Sequence, residues 1–291
     1  MKIYPIETGN FKLDGGAMFG VVPKVIWNKT NPADQNNQIE LAARSLLIED
    51  GNRLLLIDTG MGNKQSDKFF GYYALWGNFN LNESLKQYGF TTDDITDVFL
   101  THLHFDHCGG AISLNEKTNI LEPTFKNAKY WSNKKHWDWA IKPNKREKAS
   151  FLNENILPIE QSGQLNFIPT PNKNSISFLE HTPLESIGIW FVNGHTEKQM
   201  LPQIRYKNHT IVFCADLIPT LGHLPLPYVM GYDTRPLITV EEKELFLNTA
   251  AKENFILFLE HDPYNTFITV KQTERGIRLD QKINQKDFIT I

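Results

Sequence analysis

The stretch FLTHLHFDHCGG, residues 99–110, places three of the chain's nine histidines and one aspartate within six positions, directly after an apolar run. Imidazoles and carboxylates packed this closely repel one another or lose solvation unless a cation unites them. Isolated polar residues at a strand end would explain any one of these side chains, but not the group. The segment therefore predicts a strand that ends beside a metal ion.

The spacing indicates which residues bind that metal. His102 and His104 stand two residues apart, so both imidazoles project from the same side of an extended strand end. Asp106 and His107 follow where the chain turns, and the two glycines after them are expected to let the backbone bend sharply and a helix begin. Such donors suit zinc, and also Co, Mn or Fe. Two metals need further ligands, for which three strand-end residues are candidates: His195, Asp216 and His261.

The order of the predicted elements favours an α/β fold. Residues 43–60 contain two apolar runs around an Asp-Gly-Asn turn, which is typical of a β-hairpin. A helix predicted over 82–90 and a strand predicted over 94–102 follow, and this order builds a layered α/β sheet. The second half of the chain predicts three stretches of strand and one helix: strands in 186–196, 200–216 and 255–262, and the helix over 240–254.

Length and composition favour one domain over residues 1–291, with an insertion at about 113–180 that covers the active site. The formal net charge of −3, without a basic block, argues against nucleic-acid and membrane partners. The N-terminus lacks the features of a signal peptide, so we expect a cytoplasmic protein, with a homodimer left open. Cys108 and Cys214 are interpreted as small buried hydrophobes.

The segment THLHFDHCGG resembles the His-x-His-x-Asp-His signature of the metallo-β-lactamase superfamily. The resemblance implies an αββα sandwich of two mixed sheets flanked by helices, with two divalent metal ions at one sheet edge. It implies that Asp216 bridges the metals and that Asp58, which follows the first hairpin, orients ligands. A plain turn residue is the alternative for Asp58. The other implied ligands divide between the metals: His102, His104 and His195 for the first, and Asp106, His107 and His261 for the second.

The implied chemistry is hydrolysis. A water bridging two divalent ions loses its proton near neutral pH, and the hydroxide attacks a carbonyl or phosphoryl centre. The catalytic residues would be Asp216, as the bridge, and Asp106, which returns a proton. A metal-binding protein without turnover is the alternative from a different class, and the full ligand set disfavours it.

Within the superfamily, three segments resemble the branch of N-acyl homoserine lactone lactonases and related phosphotriester hydrolases: 13–27, 123–131 and 213–220. Other branches fit less well. A thioester hydrolase of the glyoxalase II kind adds a helical C-terminal domain and an RNA nuclease adds a basic arm, and we expect neither feature in this sequence. The resemblance therefore implies a small amphiphilic substrate, an N-acyl homoserine lactone whose ring is opened. A phosphotriester or another carboxylic ester is the alternative.

Residues in and near these segments are expected to line the substrate pocket. Ordinary core packing is the alternative for each aromatic residue. Candidates for contact with an acyl chain are Met18, Phe19, Val21, Val22 and Trp27. Candidates for a lid are Trp131, His136, Trp137 and Trp139. Many lactonases of this branch have a tyrosine where this chain has Pro219, so another residue must assist at the substrate oxygen. The candidates for that role are His223, Tyr228 and Tyr232.

Overall fold

The computed structural model describes residues 1–173 and 175–284. Eight strands precede residue 170 in these ranges: β1 (Lys2–Asp14), β2 (Gln38–Asp50), β3 (Arg53–Ile57), β4 (Asp97–Phe99), β5 (Ile112–Asn115), β6 (Ile120–Pro123), β7 (Lys129–Ser132) and β8 (Leu165–Phe167). Seven more follow: β9 (Ser177–Leu179), β10 (Ile187–Val192), β11 (Gln199–Tyr206), β12 (His209–Phe213), β13 (Ile256–Phe258), β14 (Phe267–Thr273) and β15 (Gly276–Ile283).

The helices of the described residues vary in length from four to seventeen residues. They are α1 (Gly15–Phe19), α2 (Lys24–Trp27), α3 (Asp67–Gly71), α4 (Leu81–Gln87), α5 (Phe105–Cys108), α6 (Lys134–Ile141), α7 (Asn153–Gln161) and α8 (Pro236–Lys252). Local sequence explains where several begin: Asn133 caps α6 by accepting a hydrogen bond from the His136 N–H at 2.9 Å, and proline occupies the first position of α8. None of them is long and apolar enough to cross a membrane.

The described residues fall into two compact units. The first unit contains Met1–Phe11 and Ala42–Thr170, and the second contains Lys12–Leu41 and the residues after Thr170. Strands β1, β2, β3, β4, β7 and β8 form a sheet in that order, β5 and β6 form a hairpin, and β9–β15 form another sheet, numbered consecutively from one edge to the other. Parallel and antiparallel pairs occur in both large sheets, so both are mixed.

The first unit brings several polar segments to one edge of its sheet. The predicted hairpin is present, since β2 and β3 pair antiparallel from Leu46 opposite Ile57 to Asp50 opposite Arg53. Strands β3, β4, β7 and β8 then pair in parallel. Because parallel strands end at the same edge, the residues after β3, β4 and β7 lie next to one another there.

Helices of the first unit pack on this sheet through a continuous apolar core. Leu56 and Val98 of the sheet belong to the same buried cluster as Leu85 of α4, Trp137 of α6 and Ile156 of α7. The stretch predicted as an insertion supplies two of these helices and also β7 and β8. It is therefore built into the sheet and core of the first unit.

In the second unit, two parallel neighbours, β12 and β13, lie at the centre of an otherwise antiparallel sheet. Phe213 at the end of β12 stacks on Phe258 at the end of β13, with ring centroids 4.9 Å apart. Helix α8 packs on this sheet, and its Phe246 makes an edge-to-face contact with Trp190, with ring centroids 5.9 Å apart. The polar residues that follow β10, β12 and β13 therefore come directly after buried strand ends.

Candidate metal centre

The first unit holds what we call the motif cluster: His102, His104, Asp106 and His107. All four side chains are buried. The segment leaves β4 after Phe99 and enters α5 at Phe105, so the two elements fix both of its ends. The predicted strand end and turn are thus confirmed, although the strand is shorter than its predicted range.

The ring nitrogens of His102 and His104 face one another. His102 Nε2 lies 3.1 Å from His104 Nδ1. The other nitrogen of each ring has its own neighbour: Thr101 Oγ1 lies 3.1 Å from His102 Nδ1, and Glu147 Oε1 lies 3.4 Å from His104 Nε2. Outer nitrogens held in this way orient the inner nitrogens toward a shared point, which is the arrangement that a metal ion requires.

Asp58 organises the motif cluster from the end of β3. Its carboxylate accepts hydrogen bonds from the Thr101 backbone N–H at 2.8 Å and from the Thr101 hydroxyl at 2.6 Å. His107 Nδ1 lies 3.0 Å from the same carboxylate, and Nε2 faces Asp106, the neighbouring predicted ligand, at 3.9 Å. These contacts support the predicted orienting role of Asp58, since a histidine bound to metal usually donates its other N–H to such a group.

The two glycines after the motif are required by close backbone contacts that the sequence does not reveal. Gly109 has φ −60° and ψ −39°, which are ordinary helical values, and α5 ends before it. A Cβ on Gly109 would lie 2.1 Å from the Met61 carbonyl oxygen, and one on Gly110 would lie 2.2 Å from the Thr59 carbonyl oxygen. A short 3-10 helix, Gly109–Ala111, does begin at these glycines, and glycine is required there for a further reason: another backbone segment passes too close for any side chain.

The second unit holds what we call the strand-end cluster: His195, Asp216 and His261. Asp216 lies between the two imidazoles, with His195 Nε2 3.1 Å from one carboxylate oxygen and His261 Nε2 3.1 Å from the other. His195 Nδ1 lies 2.9 Å from Asp233, which orients the ring. Burial alone would lower the pKa of His195, but Asp216 and Asp233 outweigh it and raise that pKa to about 10.

The donor chemistry of both clusters fits a divalent cation. All seven predicted ligands, together with Asp58 and Glu260, belong to groups of buried side chains that offer suitable donor atoms. The raised pKa of His195 means that its surroundings favour positive charge at this position. A metal ion supplies that charge by replacing the proton.

The candidates for acyl-chain contact in the second unit divide into buried and exposed residues. Phe19 is sandwiched between Trp27, with centroids 5.3 Å apart, and His223, with centroids 4.3 Å apart. Met18 is buried as well, whereas Val21 is 96% exposed and Val22 is half-buried. Core packing thus accounts for the aromatic stack, and the valines are the members of this set that reach the surface.

Of the residues considered for the substrate oxygen, His223 has both ring nitrogens engaged. Nδ1 lies 2.8 Å from the Thr220 hydroxyl, and Nε2 lies 2.9 Å from the Met18 carbonyl oxygen. Burial lowers the pKa of His223 to about 3, so the ring is neutral. Tyr228 is half-buried at the edge of Phe19, and Tyr232 is exposed.

The lid candidates of the first unit make buried structural contacts. His136 Nε2 accepts a hydrogen bond from the Leu103 backbone N–H at 2.9 Å, which fixes the residue between the two motif histidines. Trp131 donates to Asp97 at 2.8 Å, Trp137 lies in the core, and Trp139 donates to Glu147 at 2.8 Å. The stretch from 133 to 151 therefore contacts the motif cluster through His136 and Glu147.

Three acidic residues at these clusters were not predicted: Glu147, Asp233 and Glu260. Glu260 directly precedes His261 at a predicted strand end, and that position was a usable signal. Glu147 lies in a charged loop and Asp233 in a turn, where a single carboxylate is ordinary. Only the folded chain distinguishes these two from surface residues.

Comparison with known proteins supports the interpretation of these clusters as metal-binding. The model of the metallo-β-lactamase superfamily matches residues 40–261. N-acyl homoserine lactonase AiiB from Agrobacterium fabrum is 27% identical over 117 residues, which cover 37% of this chain and 42% of that protein. This chain is thus matched to less than half the length of that lactonase.

Solved structures match nearly the whole chain. A probable metal-dependent hydrolase from Staphylococcus aureus is 28% identical with a TM-score of 0.85, covering 98% of this chain and 97% of its own. AidC, a dizinc quorum-quenching lactonase, is 21% identical with a TM-score of 0.77, covering 97% and 95%. The predicted fold class is confirmed. With its signature motif in the first unit and a family match that extends to His261, the chain belongs to the metallo-β-lactamase superfamily.

Proposed function

We propose that the chain is a dinuclear metal-dependent hydrolase that opens the ring of N-acyl homoserine lactones. In this proposal the motif cluster and the strand-end cluster supply the seven metal ligands. Zinc is the expected metal, and Co, Mn and Fe suit the same donors. Support comes from the oriented imidazoles of each cluster and from a family match that includes all seven ligands.

When bound, two divalent ions supply Lewis-acid activation of a water nucleophile and of the ester carbonyl. The protein's own contribution is orientation. Asp58 and Asp233 accept from the outer nitrogens of His107 and His195, which selects the tautomer that presents Nε2. Asp106 is assigned the return of a proton to the leaving alcohol, because a carboxylate can serve as general acid and base at this position.

The observation that carries the choice of substrate is the sequence match to an N-acyl homoserine lactonase. The chemistry of the second unit is compatible with it, since Val21 and Val22 follow Phe19 of the buried stack in the chain and offer apolar side chains to solvent. Tyr228 is our candidate for the hydroxyl that assists at the substrate oxygen, because both nitrogens of His223 are engaged elsewhere. We also propose that 1–291 act as one domain and that residues at about 113–180 cover the site.

The test is a substrate panel on protein loaded with zinc. N-hexanoyl homoserine lactone, a phosphotriester, a thioester and a phosphodiester are compared at equal metal content. Hydrolysis, including ring opening of the lactone, is measured through the proton that it releases. We expect turnover of the lactone and a loss of at least about a hundredfold in Asp216→Ala, since loss of the groups that merely orient metal ligands already costs about 10–100-fold. Full activity of that variant would contradict the metal assignment.

A phosphotriester or another carboxylic ester is the second candidate substrate, and Pro219 is the observation that favours it. Proline offers no hydroxyl at the position where many lactonases have tyrosine, and it is buried here. If the phosphotriester turns over well while the lactone is untouched, the lactonase proposal is wrong and this candidate replaces it.

A further inference from the structure

Helix α8 buries two opposite charges at successive positions. Glu242 is 2% exposed and Lys243 is fully buried, while Glu241 and Glu244 on either side are exposed. Burial raises the pKa of Glu242 and lowers that of Lys243 to about 7, so both ionised side chains oppose folding unless they are well paired. Neighbouring positions on a helix point in different directions, so the two residues serve different parts of the second unit.

Glu242 binds the segment that precedes His195. Its carboxylate accepts from the Asn193 backbone N–H at 2.8 Å, from the Asn193 side-chain amide at 3.0 Å and from the Gly194 N–H at 2.9 Å. One residue further on is the metal ligand His195. A Cβ on Gly194 would lie 2.2 Å from the Thr239 hydroxyl, so this segment is pressed directly against α8. The helix thus fixes the backbone position from which the side chain of His195 extends.

Lys243 binds a different loop. Its ammonium donates to the carbonyl oxygens of Pro225 and Tyr228, each at 2.8 Å. This loop includes Tyr228, the residue assigned to the substrate oxygen, and it leads into Asp233. The negative charge of Asp233 partly offsets the effect of burial on the Lys243 pKa. Lys243 therefore fixes one segment of the proposed substrate wall. Its contacts are separate from those that Glu242 makes beside the strand-end cluster.

We infer that Glu242 and Lys243 are positioning residues with separate tasks: Glu242 aims His195 for metal binding, and Lys243 holds the loop of Pro225 and Tyr228 for substrate binding. The second task rests on the proposed function. The first requires only that His195 binds a metal. Neither residue touches the reacting atoms in this proposal.

The first task is tested by Glu242→Gln, with Glu241→Gln as the matched exposed control. Glutamine keeps the shape but turns one acceptor into a donor that faces backbone N–H groups. We expect zinc affinity, measured by chelator competition, to fall about tenfold, on the scale seen when groups that orient metal ligands are lost. The visible spectrum of cobalt-loaded protein should also change, which a role in folding alone would not cause.

If Glu242→Gln does not fold, Asn193→Ala serves instead, because it removes one of the donors and leaves the carboxylate in place. A smaller loss of zinc affinity in the same direction is then expected. Zinc affinity and cobalt spectrum equal to those of Glu241→Gln, in whichever variant folds, overturn the first task.

The second task is tested by Lys243→Met, with Lys252→Met as the exposed control. We expect the backbone amides in 224–230, which exclude Pro225 and Pro227, to exchange hydrogen at least about tenfold faster, and zinc affinity to stay within twofold. KM for the lactone should rise while kcat changes little. If that variant does not fold, Lys243→Gln retains two N–H donors and should show a weaker form of the same pattern.

The hydrogen-exchange and metal readouts do not depend on the substrate. A protein that turns over no lactone but shows faster exchange at 224–230 therefore refutes the proposed function and keeps the loop assignment. Unchanged exchange, or a loss of zinc affinity equal to that of Glu242→Gln, overturns the separation of tasks.

Discussion

The two clusters are built in different ways. The motif cluster comes from one continuous segment, residues 102–107, which runs from the end of β4 into α5. The strand-end cluster is gathered from three separate positions, His195, Asp216 and His261, that follow β10, β12 and β13. A local cluster depends on the few residues that fix one segment. A distributed cluster depends on the register of a sheet and on whatever aligns its loops.

Their supporting residues differ accordingly. The motif cluster is held by side chains that contact the imidazoles or the backbone between them, namely Asp58, Glu147 and His136. In the strand-end cluster Asp233 contacts an imidazole, but Glu242 acts one residue away through backbone N–H groups. This comparison leads to four predictions.

The largest effect is expected from Asp216→Ala compared with His107→Ala. Asp216 contacts two imidazoles that are proposed ligands, so its loss leaves both without their shared carboxylate, whereas His107→Ala removes one proposed ligand. We expect both variants to lose at least about a hundredfold in activity. Elemental analysis should find about one metal ion per chain in His107→Ala and less than one in Asp216→Ala. Two ions per chain in Asp216→Ala would contradict the bridging assignment.

Next in size are Asp58→Asn and Asp233→Asn, which remove equivalent contacts from the two clusters. An asparagine amide can present its nitrogen to the imidazole and cease to select the tautomer. Zinc affinity or activity should fall roughly 10–100-fold in each variant. The exposed residue Asp93 provides the control, Asp93→Asn. If only one variant differs from that control, the two clusters are not oriented by the same principle.

A smaller effect concerns stability. The pKa of Lys243 is about 7 in the folded chain and 10.5 when exposed, so between these pH values the unfolded chain binds more protons. The free energy of unfolding therefore gains from this residue as pH rises through that window, and the cost of its buried charge is fully present below about pH 7. Lys243→Met should lack this slope, about 1 kcal/mol per pH unit. Urea unfolding at pH 7, 8 and 9 under equal metal loading measures the difference.

The smallest effect is expected at Val21, which is almost fully exposed. Val21→Ser should leave the free energy of unfolding within about 0.5 kcal/mol, as for other surface changes. If the valine contacts the acyl chain, KM for a long-chain lactone should rise about threefold, because partial burial of so small a side chain contributes less than about 1 kcal/mol. Val25→Ser, at another exposed valine, should leave KM unchanged. Equal KM values in both variants would remove Val21 from the substrate wall.

The difference between the clusters also explains how far the sequence could be interpreted. His102, His104, Asp106 and His107 were identified from spacing, because a strand end and a turn leave few ways to place four neighbours. His195, Asp216 and His261 each look like an ordinary polar strand end; their shared position made them candidates, and family resemblance was needed to assign each one to a metal. Glu147 and Glu242 have no local signal, since their burial depends on packing between segments far apart in the chain.

Elements with strong periodicity or turn chemistry were predicted well, including the hairpin of β2 and β3 and helix α8. The aromatic residues of the substrate segments were the least predictable. Trp137 and Trp27 are equally compatible with a pocket wall and with a core, and only tertiary packing decides between these.

The close approach of two backbone segments at Gly109 and Gly110 has a consequence for how such a protein can diverge. Neither glycine offers a donor atom, yet even alanine at these positions would collide with carbonyl oxygens of Met61 and Thr59. In a saturation library, we expect both positions to be as intolerant as the histidines beside them. Invariance across descendants of this chain would therefore report steric exclusion at these two sites, and a catalogue of conserved positions would overstate the number that perform chemistry.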